Sequence, residues 1–128
     1  MDEATREYER ILTLDPENRE ARLFLATLYA QQKRYPKAIR TVQELLRLDP
    51  QLVVGYYYLG RIYLETGRLS DAKKEFQRVL TMDPKFVPAM FDLGVTLERE
   101  HQYSRALSMY NRIPVSYTHL TLPTNREV

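Results

Sequence analysis

The sequence predicts an all-α fold in which helical hairpins of one kind stack side by side. Three observations predict it. Asp-Pro recurs at Asp15-Pro16, Asp49-Pro50 and Asp83-Pro84, a spacing of 34 residues each time. Side chains between these pairs match in size and polarity at the same spacing. Ala72 aligns with Ala4, Ala38 and Ala106, and Phe76 with Tyr8, Val42 and Tyr110. Val79 aligns with Ile11, Leu45 and Ile113, Leu59 with Leu25 and Leu93, Gly60 with Ala26 and Gly94, and Tyr63 with Tyr29 and Leu97. Within each half of the unit, apolar residues recur at helical spacing. Such a unit cannot bury its apolar face alone and has to lean on its neighbours.

The stretch from Gln51 to Pro84 carries Tyr56, Leu59-Gly60, Tyr63, Ala72, Phe76 and Pro84 in that order. This order and the period of 34 residues resemble the tetratricopeptide repeat. The resemblance covers residues 1 to about 113. It implies a right-handed superhelical solenoid of antiparallel helix pairs, about three and a half repeats long.

Taken in order, residues 3–14 are expected to form a helix on the strength of Ala4, Tyr8, Ile11 and Leu12. In the repeat frame, residues 1–16 are the second helix of a truncated repeat, with Met1 an internal methionine or an imposed start. Pro16 disfavours helix at Asp15 and suits the start of the next one. The repeat 17–50 has expected helices near 18–32 and 36–48, joined by Lys33-Arg34-Tyr35. Arg22 stands where a large aromatic is usual, a departure that should loosen local packing. In the repeat 51–84, Gly67 supplies a left-handed residue at the end of the first helix. Ser70 is expected to cap the second helix, and Gly60 and Ala72 to let the pair approach closely. The repeat 85–114 turns at His101-Gln102-Tyr103, with Ser104 the expected cap, and is incomplete at its C-terminal end. Where the next Asp-Pro would fall, the residues are Tyr117 and Thr118. Residues 115–124, VSYTHLTLPT, resemble the translation of a transposon-end sequencing-library adaptor, and residues 125–128 fit its continuation to a stop. The competing reading is a native tail rich in Thr and Pro. Residues 115–128 are set aside as a non-native or disordered tail.

Composition narrows the function. There are 19 Lys and Arg against 17 Asp and Glu in the 128-residue chain, so the net charge is +2. The two signs are interleaved along the helices, as on solvated faces, and no nucleic-acid partner is expected. Without cysteine there is neither a disulfide nor a thiolate metal site. No apolar run approaches the ~20 residues that span a bilayer, so no membrane insertion is expected. The first ten residues lack the apolar core of a secretory signal. A soluble protein is expected, with the cytoplasm favoured over a periplasm. His101 falls in a turn and His119 in the tail. Gly55, Gly60, Gly67 and Gly94 form no phosphate loop. No His, Asp or Glu group has metal-ligand spacing. No catalytic residue, cofactor or metal is expected, and the chain is not expected to be an enzyme.

A binding role remains. The resemblance implies that the first helix of each pair lines the concave side of the superhelix. One face of those helices carries Glu20, Leu23, Thr27 and Ala30, then Val54, Tyr57, Arg61 and Leu64, then Pro88, Phe91, Val95 and Glu98. Leu23, Thr27, Tyr57, Arg61, Phe91, Val95 and Glu98 are the expected peptide-binding residues. For Tyr57 and Phe91, packing against the adjacent repeat is the competing reading. Tyr58, like Tyr57, is not demanded by packing within a repeat. The Lys and Asn with which co-chaperone repeats clamp a peptide carboxylate are missing at Leu23, Thr27, Tyr57, Arg61, Phe91 and Val95. The expected function is a non-catalytic scaffold that binds a peptide or protein segment on its concave face. The alternative is the substrate-recruiting arm of a larger enzyme, such as a glycosyltransferase or an envelope protease. Self-association through exposed repeat ends is a further expectation.

Overall fold

The computed structural model describes residues 2–117. Among the described residues seven helices run in order: α1 Glu3–Leu14, α2 Arg19–Gln31, α3 Tyr35–Leu48, α4 Val53–Glu65, α5 Leu69–Met82, α6 Val87–Arg99 and α7 Tyr103–Tyr110. Residues 115–117 add one more helical turn, whose Tyr117 packs on the core. The rest of the stretch that resembles an adaptor, His119 included, lies outside the described residues. No strand occurs among the described residues. Neighbouring helices pack in sequence, α1 on α2 through α6 on α7, and α4 also touches α6. The protein is an all-α solenoid of stacked helix pairs.

The repeated Asp-Pro has a repeated job. In each unit the Asp N–H closes the preceding helix: Asp15 on Ile11, Asp49 on Leu45 and Asp83 on Val79, at 2.8–2.9 Å. The carbonyl of the same Asp then accepts from the residue three places on, Asn18, Leu52 or Phe86. The chain thus turns within four residues and enters the next first helix. Inside each pair the turn is also conserved in form. Lys33, Gly67 and His101 all have positive φ, at 62°, 80° and 64°. The following N–H reaches back to the first helix in every case: Arg34 to Tyr29, Arg68 to Tyr63 and Gln102 to Leu97. This is the Schellman arrangement, which satisfies carbonyls that a helix end leaves open.

Two expected caps are not found. α5 begins at Leu69 and α7 at Tyr103, so Ser70 and Ser104 lie inside their helices, and neither helix has a side-chain cap. The Schellman turn delivers the chain straight into the next helix, with Arg68 and Gln102 at the cap positions, and leaves the serine two positions too late. Side-chain caps occur elsewhere: Asn18 Oδ1 accepts from Ala21 N at 2.9 Å, and Asp2 Oδ1 from Thr5 N at 2.9 Å. Arg22 replaces an aromatic and keeps a bond of the same kind. Its Nη2 donates to the Pro16 carbonyl at 2.5 Å, as the Tyr56 hydroxyl donates to that of Pro50 at 2.8 Å.

The core follows the alignment. Ala38, Ala72 and Ala106 are fully buried or nearly so, as are Val42, Phe76, Leu45 and Val79. The pair contact matches a small residue to a large one. A Cβ on Gly60 would lie 2.7 Å from the Phe76 ring, and one on Gly94 would run into Tyr110. The corresponding positions in the first full repeat hold Ala26, larger than glycine, and Val42, smaller than phenylalanine, and both are buried. Ala4 departs from its aligned set and is exposed, because α1 has no first helix of its own among the described residues.

Gly60→Ala is expected to destabilise the chain by about 1–3 kcal/mol through overpacking. Gly94→Ala should cost less, since Tyr110 is half-buried and its ring can swing aside. Phe76→Val added to Gly60→Ala should recover part of the loss; urea denaturation of the three variants measures this. His101→Gly, at the position where Gly67 stands naturally, should stabilise by up to about 1 kcal/mol by removing left-handed strain.

Candidate functional site

The row of first helices, α2, α4 and α6, carries the candidate site. Between α2 and α4 lies a cleft of about 180 Å³. Thr27, Ala30 and Gln31 line it from α2, and Tyr58, Arg61 and Glu65 from α4, over a floor of Ala26, Ile62 and Val42. The cleft exists because the residues that α2 turns toward it include two small ones, Ala26 in the floor and Ala30 on the wall. The Thr27 hydroxyl donates to the Leu23 carbonyl at 3.1 Å.

The α4–α6 junction is different, being filled and tied by polar groups. The Tyr57 hydroxyl donates to Asp92 Oδ2 at 2.6 Å, and Arg61 Nη1 donates to the same hydroxyl at 3.3 Å. Arg61 Nε lies 3.8 Å from Asp92 Oδ2. The Tyr57 ring sits 5.2 Å from that of Phe86 and 5.9 Å from that of Phe76. Arg99 Nη1 donates to the Leu64 carbonyl at 3.3 Å and ties the far ends of α6 and α4. Burial and the bond to Asp92 push the Tyr57 hydroxyl up to about 12. Burial also raises the Asp92 carboxyl, against the pull of Tyr57 and Arg61.

At the C-terminal end, Phe91 is 43% exposed, with its ring 5.8 Å from that of Tyr110. The Tyr110 hydroxyl donates to Glu98 Oε1 at 2.8 Å, which fixes the Glu98 carboxylate.

Five of the seven expected residues therefore fall into three places. Thr27 and Arg61 face each other across the α2–α4 cleft. Tyr57 is half-buried at the α4–α6 junction, sharing Arg61 with Asp92. Phe91 and Glu98 meet at Tyr110. Leu23 and Val95 are half-buried and do not line the α2–α4 cleft. Leu64, from the same sequence stripe, is buried in the core. Tyr58, Glu65 and Gln31 line the cleft without having been expected there. On α4 the cleft is lined by Tyr58, Arg61, Ile62 and Glu65, which shares Arg61 with the expected stripe and has Tyr58 and Glu65 one residue past Tyr57 and Leu64. Among the described residues no group of His, Asp and Glu could hold a metal ion. No helix among them is long and apolar enough to cross a membrane.

Two family models described as tetratricopeptide repeat match the sequence, over residues 1–54 and 53–86. The chain belongs to the tetratricopeptide repeat family. No curated protein matches it in sequence. Among solved structures, a crystal structure of MamA is similar at 23% identity and TM-score 0.76, covering 87% of this chain and 72% of that one. Another MamA structure has TM-score 0.79 at 18% identity, covering 95% of this chain and 68% of the other. A MamA fragment from Desulfovibrio magneticus RS-1 has TM-score 0.79 at 18% identity, over 94% and 67% of the two chains. At such identities the likeness is one of fold. Repeats of this family bind protein partners, and the chain is a protein-interaction scaffold in that general sense.

Tyr57→Phe probes the α4–α6 tie. A tyrosine whose pKa is raised by folding lends stability that is fully present below the unfolded value near 10 and lost as pH climbs toward about 12. The native chain should lose stability steeply between pH 10 and 12, and Tyr57→Phe should lose less over that window. Denaturant midpoints of the two proteins across the window give the comparison.

Proposed function

We propose that the chain is a non-catalytic scaffold that holds a peptide or protein segment along α2, α4 and α6, the concave face in this family. The α2–α4 cleft carries the reading. It is open, partly apolar, and walled by an exposed cation, Arg61, and an exposed anion, Glu65. One apolar side chain of a ligand fits its volume, with Tyr58 beside it. Phe91 offers a second apolar contact farther along the row. Tyr and Arg are over-represented among residues that dominate binding energy. Leu23, Thr27, Val95 and Glu98 flank the path. Tyr57 has a different part in this scheme: it shares Arg61 with Asp92 and holds the face in shape.

Peptides selected from a display library against the whole chain test this reading. Tyr58→Ala with Phe91→Ala should weaken a selected peptide by about 2 kcal/mol or more while leaving helical circular dichroism unchanged. Tyr57→Ala is a poorer probe, because it removes ring contacts with Phe76 and Phe86. If selected peptides bind the double variant as tightly as the native chain, the site is elsewhere.

A further inference from the structure

The two charges in the α2–α4 cleft are not equally available. Arg61 also serves the next junction: its Nη1 donates to the Tyr57 hydroxyl at 3.3 Å, and its Nε lies 3.8 Å from Asp92 Oδ2. Glu65, one turn farther along α4, has no such engagement. Among the described residues its carboxylate accepts no hydrogen bond and forms no ion pair, although Arg61 lies close enough to feel its charge. Arg99 donates to the carbonyl of Leu64, the residue before it, and not to its carboxylate. Glu65 is also the last residue of α4, where the open carbonyls of a helix end add to the negative field. Gln31 and Tyr58 line the same cleft and likewise make no side-chain hydrogen bond among the described residues. A guest thus meets an unanswered negative charge and neutral polar groups above an apolar floor of Ala26, Ile62 and Val42.

The tyrosine rings point to the same deficit. Every other tyrosine of α2 and α4 carries a cation over its face. Arg34 and Lys37 stand 4.9 and 5.3 Å from the Tyr29 centroid, and Arg78 stands 4.9 Å from that of Tyr56. Arg61 lies 5.9 Å from the Tyr57 centroid and Arg68 4.5 Å from that of Tyr63. Tyr58, in the cleft, has no cation over its ring among the described residues.

We propose that the segment held on this face places an arginine in the α2–α4 cleft, its methylene stem on the apolar floor and its guanidinium over the Tyr58 ring and against Glu65. This rests on the scaffold reading above and names the side chain that fills its cleft. The stem of an arginine covers apolar surface while the head stays at the open mouth. The planar head stacks on a tyrosine face and meets a carboxylate with two parallel N–H donors. Asp92 offsets the charge of Arg61, so the incoming cation is not opposed by a bare one. An acidic guest fits worse: it competes with Asp92 and Tyr57 for Arg61 and faces Glu65. A wholly apolar guest leaves Glu65 unanswered.

Labelled peptide pools, random in Ala, Ser, Leu and Val at every place except the centre, are titrated into the full chain and followed by fluorescence anisotropy. The centre is arginine, citrulline, norleucine or glutamate; citrulline keeps the shape of arginine and lacks its charge. The arginine pool should bind about tenfold more tightly than each of the others. Glu65→Gln and Tyr58→Leu in the protein should each remove most of that lead. Glu65 is exposed and Tyr58→Leu keeps an apolar side chain in place, so both variants should fold, and circular dichroism checks this. Amide shifts on binding should centre on Thr27, Gln31, Tyr58 and Glu65. No binding by the arginine pool, equal binding by any other pool, tightest binding by the glutamate pool, or a lead that survives either substitution would each overturn the proposal. The scaffold reading fails separately. Display-selected peptides that bind through Tyr58 and Phe91 yet carry no arginine would overturn the arginine and leave that reading standing.

Discussion

The contact between the small residue of one helix and the large residue of its partner sets the geometry of everything else. With hydrogen in place of a side chain at Gly60, the Phe76 ring can lie directly on the α4 backbone. The two helices then run close enough for Ala72 to be fully buried between them. Pair after pair repeats this, with the sizes traded off. Interiors pack at the density of organic crystals, so volume moved from one partner must be returned by the other. The spacing of the first helices, and so the width of the clefts between them, is inherited from that contact.

Two kinds of junction result. Where the walls are small, as at Ala26 and Ala30, the first helices leave a cleft. Where the wall carries Tyr57 and Asp92, the gap is filled and closed by a tyrosine–carboxylate bond with Arg61 alongside. A half-buried carboxylate is tolerated there because its hydrogen-bond needs are met by a hydroxyl and a nearby guanidinium. The same polar groups that suggest a binding surface in a linear sequence serve in part to lock one repeat onto the next.

The fold was almost entirely legible because its signals are redundant. Asp-Pro, alanine and the small–large pairs each report the same period, and α1 and α3 appear within a residue of where periodicity puts them. The misses have local causes. Ser70 and Ser104 look like caps, but a left-handed turn residue lets the helix begin earlier than a serine cap would. The site was legible only in part. A stripe of i, i+3, i+7 residues gives a helix face to within one position, and one position is 100° of rotation in a helix of 3.6 residues per turn. One such step separates Tyr57, at the inter-repeat tie, from Tyr58, in the cleft. It likewise separates Leu64, in the core, from Glu65, on the cleft wall. Side-chain size across two helices decides which residue faces the gap, and no single helix carries that information.

The α2–α4 cleft has walls from two different repeats. In a one-dimensional array, stability is close to a sum of terms for each unit and terms for each junction. A guest held in this cleft, as proposed, would strengthen a junction and not a unit. Its effect passes along the row: neighbouring hairpins melt more nearly together, and a local encounter on one face is felt as stiffness along the whole rod.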